Sequence, residues 1–357
     1  MRGLGDIFGG ESKALFGLDI SSSNIKLVEL SQSGSSYRIE HCACVPLPKD
    51  AVSEKEIKEP DLVGQAITKL LSRAGTSTKQ AAVAVAGSSV ITKIIEMSAD
   101  LNDKELEEQI RVEADSYIPY PVEEVNLDFQ VLGPSEHDPE SNQLLLAACR
   151  SETVEMRAAA VEAAGVKPRV VDVEAHALEN ACQLLAYQIP DNGKDKTVAV
   201  VDIGNTAMTM LVLHEMETVY TREQSFGGHQ LTLDIMRQYG MEEQEAEAAK
   251  LSGELPEDYS ELQSHFLDDM AQQIQRALQF FTASATQYDR IDMILLAGGC
   301  ANIAGAAERV QAATEISTQV ADPFGDMKAG RKSKDAVAEL SASMMTAAGL
   351  ALRAFDS

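Results

Sequence analysis

Gly17-Leu18-Asp19-Ile20-Ser21-Ser22-Ser23-Asn24-Ile25-Lys26-Leu27-Val28-Glu29-Leu30 and, far downstream, Val198-Ala-Val-Val-Asp202-Ile-Gly204-Asn-Thr-Ala-Met-Thr209-Met-Leu-Val-Leu213 share one plan. Each is an apolar strand, an Asp-Ile pair followed by small polar residues, and a second apolar strand, which predicts a β-hairpin. The two aspartates lie 183 positions apart, about one domain length. A turn of small residues lets backbone N–H groups close on an anion, and a carboxylate beside it can hold a hydrated cation. Either stretch alone also satisfies the description of an ordinary hairpin turn. As a spaced pair they predict two similar domains that clamp a Mg-nucleotide.

The rest of the composition narrows the class. At 357 residues, 45% of them apolar, the chain can build two or more domains with real cores. No stretch approaches the roughly 18 uninterrupted apolar residues of a membrane span. The opening Met1 to Glu11 lacks the apolar core of a signal peptide and reads as a Gly-rich arm. A formal net charge of −26 repels phosphate backbones, which argues against nucleic acid as a partner and favours basic ones. Solubility alone also accounts for such a charge. The cysteines Cys42, Cys44, Cys149, Cys182 and Cys300 sit in apolar surroundings and no Cys/His cluster has ligand spacing; reduced core thiols are expected, not a structural zinc site.

Along the chain the first hairpin leads to a third strand over Tyr37 to Val45, a helix over Asp61 to Ala74 and a buried-type strand over Ala81 to Ala86. A strand over Ser88 to Met97 follows, then a helix capped by Asp103 and stopped at Ile118-Pro119-Tyr120-Pro121, because proline cannot donate the next backbone bond. Two strands, a helix over Ser151 to Ala164 and a strand over Arg169 to Val173 complete a β-α-β-β-α-β order, the ferredoxin-like pattern. The expected organisation is a first domain over 1–92, an inserted subdomain over 93–172, the first domain again over 173–196, a second domain over 197–340, and a C-terminal helix over 341–357 returning to the first.

Several further positions have chemistry to offer. Gly298-Gly299 leaves an apolar strand, and Gly227-Gly228 precedes a helix; paired glycines admit a ring or phosphate to the backbone, though a plain turn uses them too. Glu247 and Lys250 share a helix face, as a surface ion pair or as contacts to a ribose and base. Glu174 opens a helix, where it suits the local dipole or can hold a water for attack on a terminal phosphate.

Taken in order, the two Asp hairpins, the strand-to-helix Glu, the Gly-Gly helix start, the Glu-x-x-Lys helix and the late Gly-Gly turn resemble the actin/Hsp70/FtsA superfamily of nucleotide-binding proteins. The insert narrows this. Ile110-Arg-Val-Glu-Ala-Asp-Ser-Tyr117-Ile-Pro119-Tyr-Pro121-Val-Glu-Glu124-Val-Asn-Leu-Asp128, with Gly17 to Lys26, resembles the PilM family of type IV pilus assembly. The resemblance implies an α/β actin-like fold, duplicated ribonuclease H-like domains flanking a nucleotide cleft, with ATP and Mg as ligands. It assigns Asp19, Ser21, Ser22, Ser23, Asn24 and Lys26 to one phosphate turn, and Asp202, Gly204, Asn205, Thr206 and Thr209 to the other. Gly227 and Gly228 match the phosphate-side helix start, Glu247 and Lys250 the ribose/adenine helix, and Gly298, Gly299 and Asn302 the adenosine turn. Asp19 and Asp202 would hold Mg through water, and Glu174 would position the attacking water. Ser21 stands where the superfamily often has glycine, which alters phosphate approach at that turn. Glu174 is followed by Ala-His, with nothing in the sequence to make it polarise a water, so binding of ATP is expected rather than its turnover.

The same resemblance implies a partner, the cytoplasmic N-terminal peptide of PilN, in a groove with Tyr117, Ile118, Pro119, Tyr120 and Val122, and hence a cytoplasmic scaffold peripheral to the inner membrane that links to the pilus motor. Those five residues also suffice to end and cover a helix. Self-association is compatible with the superfamily. Two other classes share the fold: an FtsA-like membrane-tethered filament and a kinase or ATPase with a small-molecule acceptor. The stretch Ala336 to Ser357 carries Arg353 as its one basic residue, a poor membrane anchor, and no motif supplies a general base for an acceptor.

Overall fold

The structure is a computed structural model that describes residues 14–356 except 50, 54, 136–137, 253–258, 286, 289 and 331–332. The Gly-rich arm read from residues 1–11 lies outside the described residues. The described chain forms two compact units, one of residues 14–32, 41–177 and 350–356, the other of residues 33–40 and 178–349.

In the first unit, β1 (Phe16–Ile20) is buried along its whole length and pairs antiparallel with β2 (Asn24–Ser33), setting Asp19 opposite Lys26. β3 (Ser36–Pro46) follows, then a two-rung hairpin of β4 (Val52–Ser53) and β5 (Glu56–Ile57). Helix α1 (Pro60–Ala74) has Pro at its first position and ends on Gly75 at φ 71°, a left-handed residue whose N–H bonds the carbonyl of Leu71. Its apolar stripe, Val63, Ile67 and Leu70, packs with Phe16, Leu18 and Ile25 in one core. β6 (Gln80–Val85) then runs parallel to β1.

The next segment builds a separate three-stranded sheet from β7 (Val90–Ser98), β8 (Val125–Pro134) and β9 (Ser141–Arg150), in the order β7-β9-β8, with α2 (Asp103–Tyr117) between β7 and β8 in sequence. Leu106, Ile110 and Ala114 of α2 pack on Ile95, Met97, Leu144 and Leu146. The cap is Asn102, one residue before the predicted Asp103: its side chain accepts from Lys104 and Glu105 N–H, and Glu105 answers with a bond to the Asn102 N–H.

The β-α-β-β-α-β order is present along the chain, but the expected ferredoxin-like insert over 93–172 is divided by its pairing. α3 (Ser151–Ala163) and β10 (Lys167–Val173) leave the small sheet: β10 runs parallel to β6 over Lys167 to Val173, and α3 lies beside α1. The reason is close packing. A β-carbon on Gly64 of α1 would stand 2.7 Å from Cβ of Ala163, so the two helices approach as only small residues permit. Helix α4 (Glu174–Cys182) follows directly.

The boundary between units falls inside α4, not at 196. Leu178, Ala181, Cys182, Leu185 and Ile189 are buried with Val198, Val200 and Leu295, so this stretch belongs to the core of the second unit. There β11 (Thr197–Ile203) pairs antiparallel with β12 (Met208–His214), and Asp202 faces Thr209 across the pair, seven residues on, as Lys26 stands seven after Asp19. β13 (Glu217–Gln224) extends the meander. Helices α5 (His229–Tyr239), α6 (Glu243–Ser252) and α7 (Tyr259–Ser284) come next, and α7 buries Phe266, Met270, Ile274 and Phe281.

β14 (Met293–Ala297) is parallel to β11 and β15 (Thr318–Val320) is parallel to β14, with α8 (Ala306–Thr314) between them in sequence. The sheet order β13-β12-β11-β14-β15 therefore repeats β3-β2-β1-β6-β10 strand for strand. A two-residue strand β16 (Lys328–Ala329) pairs with Arg38 and Ile39. α9 (Lys334–Leu340) and α10 (Met345–Leu352) close the chain. Met345 belongs to the second unit's core, and Leu350 and Ala354 to the first's.

Candidate functional site

In the second unit, chain segments far apart in sequence meet at the end of β11. The turn after Ile203 is closed by Gly204 N–H donating to the Ala207 carbonyl at 2.9 Å. The start of α5 is stitched to that turn: Gly228 N–H donates to the Gly204 carbonyl at 3.0 Å and His229 N–H to the Asn205 carbonyl at 2.8 Å. Only glycine fits there, since a β-carbon on Gly227 would lie 2.4 Å from the Asn205 carbonyl oxygen.

The strand exit after β14 makes a matching approach. Gly298 has φ +83°, and a β-carbon on it would lie 2.3 Å from the Ile203 carbonyl oxygen and 2.6 Å from Asp202 Oδ1. Nothing stands within 4 Å of the β-carbon position at Gly299; Asn302, which ends this short turn, is exposed.

Glu247 and Lys250 of α6 complete the group. Lys250 Nζ lies 2.6 Å from Glu247 Oε2, 2.8 Å from Thr232 Oγ1 and 3.2 Å from the Gly228 carbonyl. Thr232 Oγ1 donates to Glu247 at 2.6 Å. Cys300 Sγ donates to the Gly204 carbonyl at 3.4 Å, and burial, opposed by nearby Lys250, pushes its thiol up to about 12. A thiol so raised is a neutral packing group at pH 7. Asp202, Gly204, Asn205, Gly227, Gly228, Lys250 and Gly298 are thus brought together; Thr206 is exposed at the turn and Thr209 is paired with Asp202 across the strands.

The first unit has its own turn. Asp19 Oδ2 and Lys26 Nζ form an ion pair at 2.9 Å with both side chains largely buried. Ser21 donates to the Asn24 carbonyl through both its N–H (3.1 Å) and its Oγ (2.9 Å), and Asn24 Nδ2 donates to Ser23 Oγ at 2.9 Å. Ser22 lies half-buried within the same turn.

Two residues that the sequence reading passed over organise its surroundings. Arg157 of α3 is 2% exposed and donates from Nη1 to the Ile20 carbonyl and from Nη2 to the Lys55 carbonyl, each at 2.9 Å. Burial lowers the guanidinium pKa, and the charges of Glu174 and Asp19 oppose that shift. Lys55, at φ 64°, places Nζ 3.0 Å from Glu174 Oε2. The available signal was an arginine among alanines on a helix face that must be buried.

Of the predicted groove residues, Ile118, Pro119, Tyr120 and Val122 line a cavity of about 450 Å³, joined by Asp115, Pro121 and Glu123. Tyr117 turns away, donating its hydroxyl to Glu113 at 2.7 Å and packing in the small sheet's core. The Arg150 guanidinium sits 5.9 Å from the centre of the Tyr120 ring. Among the described residues, no cluster of three His, Cys, Asp or Glu side chains is placed to hold a metal, and no helix is long and apolar enough to cross a membrane.

The chain matches the family model "Type IV pilus assembly protein PilM" over residues 17–355. Among solved structures it is similar to a PilM-PilN type IV pilus biogenesis complex, with a TM-score of 0.78 and 27% identity over 96% of this chain and 99% of that one. It is also similar to the ethanolamine utilization protein EutJ from Carboxydothermus hydrogenoformans, with a TM-score of 0.55 and 16% identity over 98% of this chain and 92% of that one. The repeated sheets are those of the actin-like fold.

Proposed function

Since the chain belongs to the PilM family of type IV pilus assembly proteins, we propose that it is the scaffold of that machinery that binds Mg-ATP and takes up the N-terminal cytoplasmic peptide of PilN. The observation that carries the nucleotide half is the meeting of Asp202, Gly204, Gly227, Gly228, Lys250 and Gly298 at one end of the second sheet. The residues fit the ligand. Gly299 leaves backbone open to a planar ring, and Lys250 with Glu247 offers a cation and an acceptor of the kind a ribose and base need.

In the first unit, Ser21, Ser22, Ser23 and Lys26 supply hydroxyl and ammonium donors for phosphate oxygens. Asp19 in the first unit and Asp202 in the second each offer a carboxylate of the kind that reaches a magnesium ion through its waters, the manner in which this ion is usually held. Bound ATP supplies negative charge and a transferable phosphoryl group. Glu174, the residue for water positioning, lies 3.0 Å from Lys55 Nζ.

The peptide half rests on the cavity around Ile118, Tyr120 and Val122. Apolar walls with Asp115 and Glu123 at hand suit a segment carrying leucines and a basic residue. A membrane-anchored partner would place this chain at the inner membrane.

The test is calorimetric titration of the PilN N-terminal peptide with and without Mg-ATP, and of Mg-ATP into the protein and its Asp202→Ala variant. Saturable peptide binding, and nucleotide binding weakened in a folded variant, support the reading. Unchanged ATP affinity in Asp202→Ala removes the nucleotide half, and absence of peptide binding removes the other.

A further inference from the structure

Lys55 occupies a position that neither the fold nor the proposed function explains. It stands in the two-rung hairpin of β4 and β5 with φ 64°, a left-handed conformation that a long side chain rarely takes. Asn, Asp or Gly would serve better if the turn were all that mattered. Backbone held in such a region by its surroundings is a pointer to a function elsewhere in the residue.

Its carbonyl is fixed from below. The buried Arg157 guanidinium donates one N–H to Lys55 and another to Ile20, the residue between Asp19 and Ser21. A guanidinium is rigid and planar, so the two carbonyls keep one spacing, and the hairpin is bolted beside the first turn. The side chain then reaches Glu174 at 3.0 Å with less than a fifth of either side chain exposed. A bare structural ion pair would not need both the carbonyl anchor that ties this hairpin to Ile20 and the strained backbone.

We infer that Lys55 is a ligand for the terminal phosphate of a nucleotide held at the first turn, and that Glu174 is the counter-ion it sets aside when that phosphate arrives. The inference rests on the nucleotide reading above and deepens it by naming the group that tells triphosphate from diphosphate. A phosphate oxygen offers the ammonium a more concentrated charge than the carboxylate it leaves. Glu174 is released by the same exchange, so the acid is freed for water only when a terminal phosphate is present. With diphosphate the Lys55–Glu174 pair stays closed.

The experiment compares Kd for the Mg complex of a non-hydrolysable ATP analogue with Kd for Mg-ADP, in the wild-type chain and in Lys55→Met, Lys55→Arg and Glu174→Gln. Losing one charge-assisted contact predicts about tenfold weaker triphosphate binding in Lys55→Met with ADP affinity unchanged, and partial recovery in Lys55→Arg. Glu174→Gln removes the competing carboxylate and should tighten the analogue severalfold without affecting ADP. Since the readout is a ratio of two ligands on one variant, a general loss of folding moves both alike and counts against the assignment, as does an unchanged ratio. If the wild-type chain binds neither nucleotide, the nucleotide reading itself fails. If it binds both and Lys55→Met keeps the wild-type ratio, only the role of Lys55 falls.

Discussion

A β-carbon placed on Gly298 would stand 2.6 Å from Oδ1 of Asp202, closer than real β-carbons come to any neighbour. The strand exit and the aspartate therefore constrain each other: the backbone at Gly298 can pass only because it carries no side chain. Its φ of +83° adds a second reason.

Gly298→Ala is accordingly expected to destabilise the second unit by about 2 kcal/mol or more, the sum of an unfavourable φ and a clash with the fixed Ile203 carbonyl. Urea unfolding would read this as a shift in midpoint. Gly299→Ala is the control, because nothing stands within 4 Å of its β-carbon position; it should leave stability nearly unchanged while weakening nucleotide binding.

How much of this was legible beforehand differs from place to place. The two hairpins were, because a strand buried on both faces leaves a run such as Val198 to Val201 and the turn residues are small. The helix expected after Gly227-Gly228 was legible too, and α5 starts at the next residue, His229. The assignment of α3 and β10 was not, because nothing local says that β10 prefers β6 to β7; that depends on Gly64 meeting Ala163 across a hundred residues of chain. Lys55 and Arg157 were missed for the same reason. Each looks like a solvent-facing cation until the tertiary fold buries one and turns the other toward Glu174.

Arg157 gives a prediction of its own. Arg157→Met would leave the Ile20 and Lys55 carbonyls without the donors they now have, so a loss of about 3 kcal/mol is expected, much of it from stranded polar groups. Arg157→Lys should recover part of the loss, because an ammonium can satisfy one carbonyl but cannot span two as a planar fork does. Chemical denaturation of the full chain, followed by a probe in the first unit, checks both.

Asp128 on β8 predicts a dependence on pH. Burial pushes its carboxyl pKa above the ordinary 3.8, opposed by the Phe129 N–H that donates to it and by Arg353, and reinforced by Asp172. The folded state thus holds this proton at pH values where the unfolded chain has released it. Stability falls as pH rises from about 3.8 through the raised folded value and stays lowered above it. Asp128→Asn keeps an acceptor for Phe129 but carries no charge. It should be more stable than the parent at pH 7, with the difference closing as pH drops below the ordinary carboxyl range. Thermal melts across that range would show the convergence; a constant difference would contradict it.

The cavity on the small sheet's helix should discriminate by shape and charge separately. Tyr120 is 41% exposed and forms part of the wall, so Tyr120→Ala removes contact area and is expected to weaken the PilN peptide about tenfold, independent of salt. Asp115→Lys with Glu123→Lys leaves the walls intact but reverses the field. That double variant should lose affinity for a peptide bearing a basic residue, most strongly at low ionic strength, and approach the parent as salt screens both. Mg-ATP affinity should be untouched in either variant, because none of these side chains belongs to the two turns. Fluorescence anisotropy of a labelled peptide over a salt series separates the effects; equal salt dependence in both variants would mean that the acidic pair plays no part in recognition.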